Sequence, residues 1–501
     1  MIANIVSFVV NLCISFFLTP YITKTVGIEA YGLVGLANSF VGYITVVTSA
    51  LNSMASRFIV IELHRNHKEK ANTYFSSVLI ANTIFAVLIT LPAIWLIANI
   101  NILNVSSGLL TDARLTFAII LLNFIVSLIS AIYGIVLYAK NLLWKGSFRT
   151  VEGSIIRIVL IGLFFTLLSE KVYFVVLATF LSGLYTIAFN YYYTKKYTPE
   201  LKVETRLFSF SAIKELVSAG IWNSITRLSQ ILLDGLDLLL SNLFIDGTMT
   251  GNVTIAKTVP SLYTTVVAML SDSFYPSFLE LYSKHKTEEL VKEIKLSIRV
   301  LSSISGICLS MLFVYAKEFY LLWLPGSDAE LLRTITYLAA GTVLISGSVY
   351  SLFYVFSLTN KIRNNSFALL ITGLLSVGTT FICLKYTNLG IYAIVGVSSV
   401  YGIIRNMTFT PIYAAKCLGI PGGTFYPVIL RNLLNILVLV FIDMAVKHFL
   451  YPTSWWLLIA NGAIDLVLGV IVTIFLTFGK NDRKEMLERC RIWISQFFSK
   501  K

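Results

Sequence analysis

Six polar side chains recur at helical spacing inside an otherwise apolar stretch: Asn223, Arg227, Gln230, Asp234, Asp237 and Ser241. Their intervals alternate between four and three, which puts all six on one face of a helix over roughly 27 Å of rise. Facing lipid, each charge at mid-membrane costs about 2.5–3.5 kcal/mol. The face must therefore meet protein or a water-filled cavity. Arg227 offers a planar fork of donors. Asn223 and Gln230 are neutral amides. Asp234 and Asp237 read as buried acids on which an ion gradient could act. The bland alternative is an internal Arg227–Asp234 ion pair that only locks helices together. A second row, Lys257, Ser261, Thr264, Ser271, Asp272 and Tyr275, lies in the next apolar stretch, and Asn38, Gly42, Thr45, Ser49, Asn52 and Ser56 form a third. Small polar residues at such spacing also occur at tight helix contacts, so packing and cavity lining both stand for the third row. Arg405 lies mid-stretch and is a further candidate for the cavity. Arg57 either contacts ligand or snorkels to headgroups, and Arg157 has the same two readings. Arg431, Asp443 and Asp465 either line a lateral groove or pair with neighbours.

The elements that carry these residues are fourteen apolar stretches: 2–22, 32–60, 73–98, 115–138, 151–168, 172–192, 216–244, 252–280, 300–323, 334–358, 367–385, 389–412, 428–446 and 455–478. About 20 apolar residues cross roughly 30 Å of hydrocarbon as a helix. Of the 39 Lys and Arg, 26 fall in loops after even-numbered stretches or in the tail, and 6 in loops after odd-numbered ones. Lys and Arg mark the cytoplasmic side. The expected fold is an all-α polytopic membrane protein with both termini cytoplasmic.

With 57% hydrophobic and 13% charged residues, the chain is no ordinary soluble protein. The net charge of +14 is concentrated on one face, where it orients helices and attracts anionic membrane lipids, so nucleic acid is not an expected partner. The five cysteines, Cys13, Cys308, Cys383, Cys417 and Cys490, form no C-x-x-C pair and imply neither a disulfide framework nor a metal site. The first stretch lacks a charged leader and a small-residue cleavage site, and reads as a retained helix. Residues 283–299 read as an amphipathic helix, with Leu290, Ile294 and Ile298 at helical spacing. The tail, with Met486, Leu487, Ile492, Trp493, Ile494, Phe497 and Phe498 among Lys and Arg, reads as a helix lying on the inner leaflet. There is no phosphate loop and no H-E-x-x-H. All four histidines fall in loops or at stretch ends. No catalytic set, metal site or cofactor is expected, and gradient-driven transport fits better than an enzyme.

A shift of 219 residues lays 3–61 on 222–280. It pairs Asn4 with Asn223, Gly32 with Gly251, Val34 with Val253, Ala37 with Ala256, Thr45 with Thr264, Val47 with Val266 and Leu51 with Leu270. Six stretches separate the copies, so both halves have the same orientation, and transporters built this way place substrate between halves. The expected division is a six-helix lobe over 1–193, a cytoplasmic linker over 194–215, a second six-helix lobe over 216–414, two additional helices over 415–479, and a basic tail over 480–501.

The run LTPYITKTVGIEAYGLVGLANSF followed by MASRFIV resembles the bacterial polysaccharide flippases of the multidrug/oligosaccharidyl-lipid/polysaccharide exporter superfamily. The matching positions are Pro20, Gly27, Tyr31, Gly32, Ala55, Ser56 and Arg57. The resemblance implies two six-helix lobes around a cationic cavity. It also implies alternating access that carries an undecaprenyl-pyrophosphate-linked oligosaccharide, an O-antigen or capsule repeat unit, between leaflets. Pro20, Gly27 and Gly32 would then be structural, forming a helix end and a tight turn. Arg227, Lys257, Arg405 and Arg57 would meet the pyrophosphate, with Asn223 and Gln230 on the sugar. Asp234, Asp237 and Asp272 would hold a coupling ion or sugar. A polysaccharide polymerase and a chain-length regulator are expected partners. The alternatives are a cation-coupled drug or metabolite antiporter of the same superfamily, which predicts an acidic cavity, and a membrane polysaccharide polymerase, which predicts a large outward loop.

Overall fold

The computed structural model describes residues 2–479 and Arg483. The expected amphipathic tail, from Met486 to Phe498, lies outside the described residues. The first half of the chain folds into α1 (Ile2–Val26), α2 (Ile28–His64), α3 (Lys68–Ala98), α4 (Leu110–Ser130), α5 (Ile135–Ala139), α6 (Leu143–Leu167) and α7 (Val172–Tyr197). Next come α8 (Phe210–Gln230), α9 (Asp237–Phe244), α10 (Gly247–Asp272), α11 (Tyr275–Ser283), α12 (Thr287–Trp323) and α13 (Ala329–Leu358). The last five are α14 (Ile362–Tyr386), α15 (Ile391–Met407), α16 (Phe409–Leu418), α17 (Tyr426–Phe449) and α18 (Trp455–Thr477). No strand occurs among the described residues. The protein is an all-α polytopic membrane protein, with twelve described helices long and apolar enough to cross a bilayer. The other two apolar stretches are segmented: 216–244 falls on α8 and α9 with a π-turn between them, and 389–412 on α15 and α16.

The amphipathic helix read over 283–299 is found from Thr287 onward, as the opening turns of the 37-residue α12, with Ser283 closing α11. Leu290, Ile294 and Ile298 are fully buried against Phe278, Val349, Leu352, Phe356, Phe425 and Ile429. Each such side chain withdrawn from water contributes about 1.5–3 kcal/mol, so the apolar face serves the protein's own core rather than lipid. Pro20 does not end a helix: α1 continues past it to Val26. The break comes at Gly27, whose φ of +93° is open to glycine and strained for other residues.

Contacts divide the chain into two compact units, residues 1–255 with 369–394, and residues 256–368 with 395–501. In the first unit α2 is the organising helix and packs most extensively against α8. Small residues permit this. A Cβ on Gly220 would collide with the Ala50 carbonyl oxygen, so only glycine lets the two backbones meet. At its other end α2 crosses the start of α10 at Gly32 and Gly251, two residues equated by the 219-residue shift. In the second unit α12 packs against α13, α17 and α18.

The segment joining α7 to α8 is tied down along its length. Asn72 of α3 donates from Nδ2 to the Glu200 carbonyl at 3.0 Å and accepts from the Lys202 amide at 2.9 Å. Ser76 Oγ accepts from the Glu204 amide at 3.0 Å, and Ser77 Oγ from the Ser209 amide at 2.9 Å. Ser209 in turn caps α8, its Oγ accepting from the Ala212 amide.

Candidate functional site

The polar face of the seventh stretch begins at the α2–α8 contact. Ser49 and Ser224 share a hydrogen bond of 2.7 Å, Ser224 also donates to the Val46 carbonyl at 2.7 Å, and Asn223 Nδ2 donates to Ser53 Oγ at 3.0 Å. Asn52 exchanges amide hydrogen bonds with Asn82 of α3, which also donates to the Leu128 carbonyl. For Ser49 and Asn52 the structure therefore decides between the two readings in favour of packing. Farther along α2, Asn38 is exposed and turned to its own Val34 carbonyl, and a Cβ at Gly42 would meet nothing within 4 Å.

Beyond Asn223 the face opens. Arg227, Gln230 and Asp234 are all exposed. Arg227 stands about 26 Å along the chain path from either end of the α8–α9 segment, taking 1.5 Å per residue. Arg227 thus stands exposed at the middle of the α8–α9 path. Arg227 makes no ion pair among the described residues, so the locking Arg227–Asp234 pair does not form. Asp234 is itself engaged with neighbouring groups.

The six-residue face does not continue unbroken. Residues Ile231–Gly235 form a π-turn. A residue inserted in this way rotates the downstream side chains by about 100°. Asp237 and Ser241 are consequently buried, whereas the four residues from Asn223 to Asp234 stay partly or fully open. The turn is braced from two sides. Tyr43 of α2 donates to the Gly235 carbonyl at 2.9 Å, and Ser376 of α14 reaches the Leu233 carbonyl at 3.5 Å. Gly373 lets α14 come close, since a Cβ there would lie 2.9 Å from the Ser229 carbonyl oxygen. Asp237, engaged by neighbours, thus sits just past a loosened turn whose carbonyls receive hydroxyls from α2 and α14.

Arg57 is exposed on α2, one turn past Ser53, while Arg227 lies one turn past Asn223 on α8. The two helices are antiparallel here, so Arg57 and Arg227 differ in depth by about 12 Å.

In the second unit the candidates are apart from one another. Arg405 is 7% exposed; its guanidinium donates to Asn365 Oδ1 at 2.5 Å and to Asn406 Oδ1 at 3.2 Å, and packs over the Phe353 ring. Its Nε is buried with no hydrogen-bond partner, and no described carboxylate pairs with it. Asp272 ends α10, is exposed, and accepts from the Tyr354 hydroxyl. Lys257 is half-buried and engaged. Asp443 and Asp465 do not line a groove; they face each other. Among the described residues no group of three or more His, Cys, Asp or Glu forms a metal site.

Sequence spacing missed Asn82, Tyr43, the π-turn and the Asn72–Ser76–Ser77 row. A lone amide in the apolar α3 and a Gly next to Asp234 are the signals that carried them.

The same architecture recurs in known proteins. A family described as polysaccharide biosynthesis protein matches residues 1–282. The "uncharacterized membrane protein EpsK" of Bacillus subtilis (strain 168) is 27% identical over 491 residues, covering 98% of this chain and 97% of that protein. Among solved structures, "lipid II flippase MurJ, inward closed conformation" superposes with a TM-score of 0.69 at 16% identity over 98% of this chain and 99% of that one. An inward-facing multidrug resistance MATE family transporter of the MOP superfamily gives 0.65 at 18% identity over 82% and 94%. The fold is thus that of MOP superfamily transporters and flippases, and the chain belongs to the polysaccharide biosynthesis protein family.

Proposed function

We propose that this protein is a flippase for lipid-linked oligosaccharide repeat units. On this reading it moves undecaprenyl-pyrophosphate-linked O-antigen, capsular or exopolysaccharide units from the inner to the outer leaflet of a bacterial inner membrane by alternating access, with both termini in the cytoplasm. The observation that supports the reading is the open strip of Asn223, Arg227 and Gln230, in which a guanidinium fork suited to phosphate stands between two amides suited to sugar hydroxyls. Arg57 and Arg227 are successive stations for the pyrophosphate, Lys257 and Arg405 further cationic contacts, and Asp234, Asp237 and Asp272 serve a coupling ion or the sugar. The similarity to the lipid II flippase over nearly the whole of both chains favours a lipid-linked substrate over the antiporter reading, since the MATE transporter matches 82% of this chain. A polymerase and a chain-length regulator are the proposed partners in assembly.

The test is reconstitution into vesicles holding a labelled undecaprenyl-pyrophosphoryl oligosaccharide, with transfer between leaflets read by accessibility to a membrane-impermeant reagent. Protein-dependent transfer that Arg227→Ala abolishes is the expected result. Transfer no faster than in empty vesicles, together with gradient-driven export of small cations, would replace the flippase by the antiporter.

A further inference from the structure

The second unit holds a group of ionisable side chains that the transport reading does not use. Asp443 of α17 and Asp465 of α18 are each 1% exposed, and their carboxyl groups face one another. Tyr315 of α12 donates to Asp465 Oδ2 at 2.7 Å. Ser310 of α12 faces Asp443. Asp443 Oδ2 and Asp465 Oδ1 are buried with no hydrogen-bond donor among the described residues. The other charged groups nearby are already matched: Lys447 of α17 donates to Glu318 of α12 at 2.7 Å, and Tyr451 donates to the same carboxylate at 3.1 Å. From α13, Arg333 and Tyr337 line a cavity of about 620 Å³ that Lys447 also borders. Tyr315 lines a second cavity of about 240 Å³, with Leu458 and Gly462 of α18 in its wall.

Two ionised carboxylates cannot share a buried site without a positive charge between them. Lys447 cannot supply it, being held by Glu318 and the Val314 carbonyl. We infer that Asp443 and Asp465, capped by Tyr315, form a binding site for one monovalent positive charge, a proton or an alkali cation, that holds α18 and α17 onto α12. The unpartnered oxygens are where that charge binds, and the cavity along Tyr315 is its approach. This site lies in the last two long helices and uses none of the α8 residues proposed to handle the substrate.

The sign of the linkage is fixed. A proton held between the two acids in the folded chain is released on unfolding at neutral pH, so stability falls as pH rises. A bound cation stabilises in proportion to the logarithm of its concentration. The experiment uses the purified full chain in detergent and measures Tm against pH, and against NaCl replacing choline chloride at constant ionic strength. It is repeated on D443N and D465N. A proton gives a pH-dependent Tm that both variants flatten, with an infrared band of a protonated carboxyl that is lost in each. Sodium gives a Tm rise specific to NaCl that both variants abolish. Should the variants fail to fold, the wild-type chain decides: neither a protonated-carboxyl band nor a sodium-specific rise overturns the site. Variants that keep the wild-type responses to both pH and sodium overturn it equally.

Discussion

Replacing Gly32 by valine loads the point where α2 crosses α10. The first added carbon would stand 2.6 Å from the Gly251 nitrogen and 2.7 Å from its Cα, where ordinary contact begins at 3.4 Å. The helices must part locally by about 0.8 Å, because both obstructing atoms are backbone and neither can swing aside. Overpacking of this kind costs about 1–3 kcal/mol. With two further methyls to place, the upper part of that range applies, and about 2–3 kcal/mol corresponds to a roughly 30- to 150-fold loss in the ratio of folded to unfolded chain. Gly42→Ala is the control. It lies ten residues on in the same helix, its Cβ meets nothing within 4 Å, and alanine gains up to about 1 kcal/mol of helix propensity. Thermal unfolding of both variants in detergent, followed by protease susceptibility at a fixed temperature, reads the difference. Gly32→Val should unfold well below the wild type, and Gly42→Ala at or above it. Equal stability of the two would refute the close crossing of α2 and α10.

Arg227→Ala should abolish surface polysaccharide in cells while membrane insertion is preserved, and Arg227→Lys should restore only part of it, since ammonium lacks the bidentate fork; normal polymer with the alanine variant removes Arg227 from transport. Asp234→Asn should change the dependence of vesicle transport on an imposed proton or sodium gradient, whereas an unaltered dependence assigns that acid to structure. Lys447→Ala strips the counter-charge from the buried Glu318 and should destabilise the chain by about 3 kcal/mol; the double variant Lys447→Ala with Glu318→Gln should recover most of that loss, and its failure to do so would show that the pair is not what holds α17 to α12.

Much of the fold is legible in the apolar stretches because a bilayer imposes both their length and their composition. The same signal fails where polarity is a local matter. Residues 283–299 carry an amphipathic pattern whether they lie on lipid or extend α12 over Phe278 and Phe425, and only tertiary contact distinguishes the two. The face from Asn223 to Asp234 follows from regular helical spacing. The burial of Asp237 and Ser241 does not, because the turn at Ile231–Gly235 depends on bracing by Tyr43 and Ser376, residues far away in sequence. Ser49 and Asn52 have identical types and spacing under either reading, and it is Ser224 and Asn82 opposite them that settle their role. Asp443 and Asp465, 22 residues apart on neighbouring helices, leave no periodic trace of their encounter.

The stitching of residues 200–209 onto α3 has a mechanical consequence. With Asn72, Ser76 and Ser77 each holding a successive backbone amide or carbonyl of that segment, the foot of α8 is leashed to α3 with no slack. Any tilt of α3 drags the base of α8 along, and a displacement that must spare one of them has to be absorbed higher up. The π-turn at Ile231–Gly235, beyond Arg227, is the next departure from regular helix along that path.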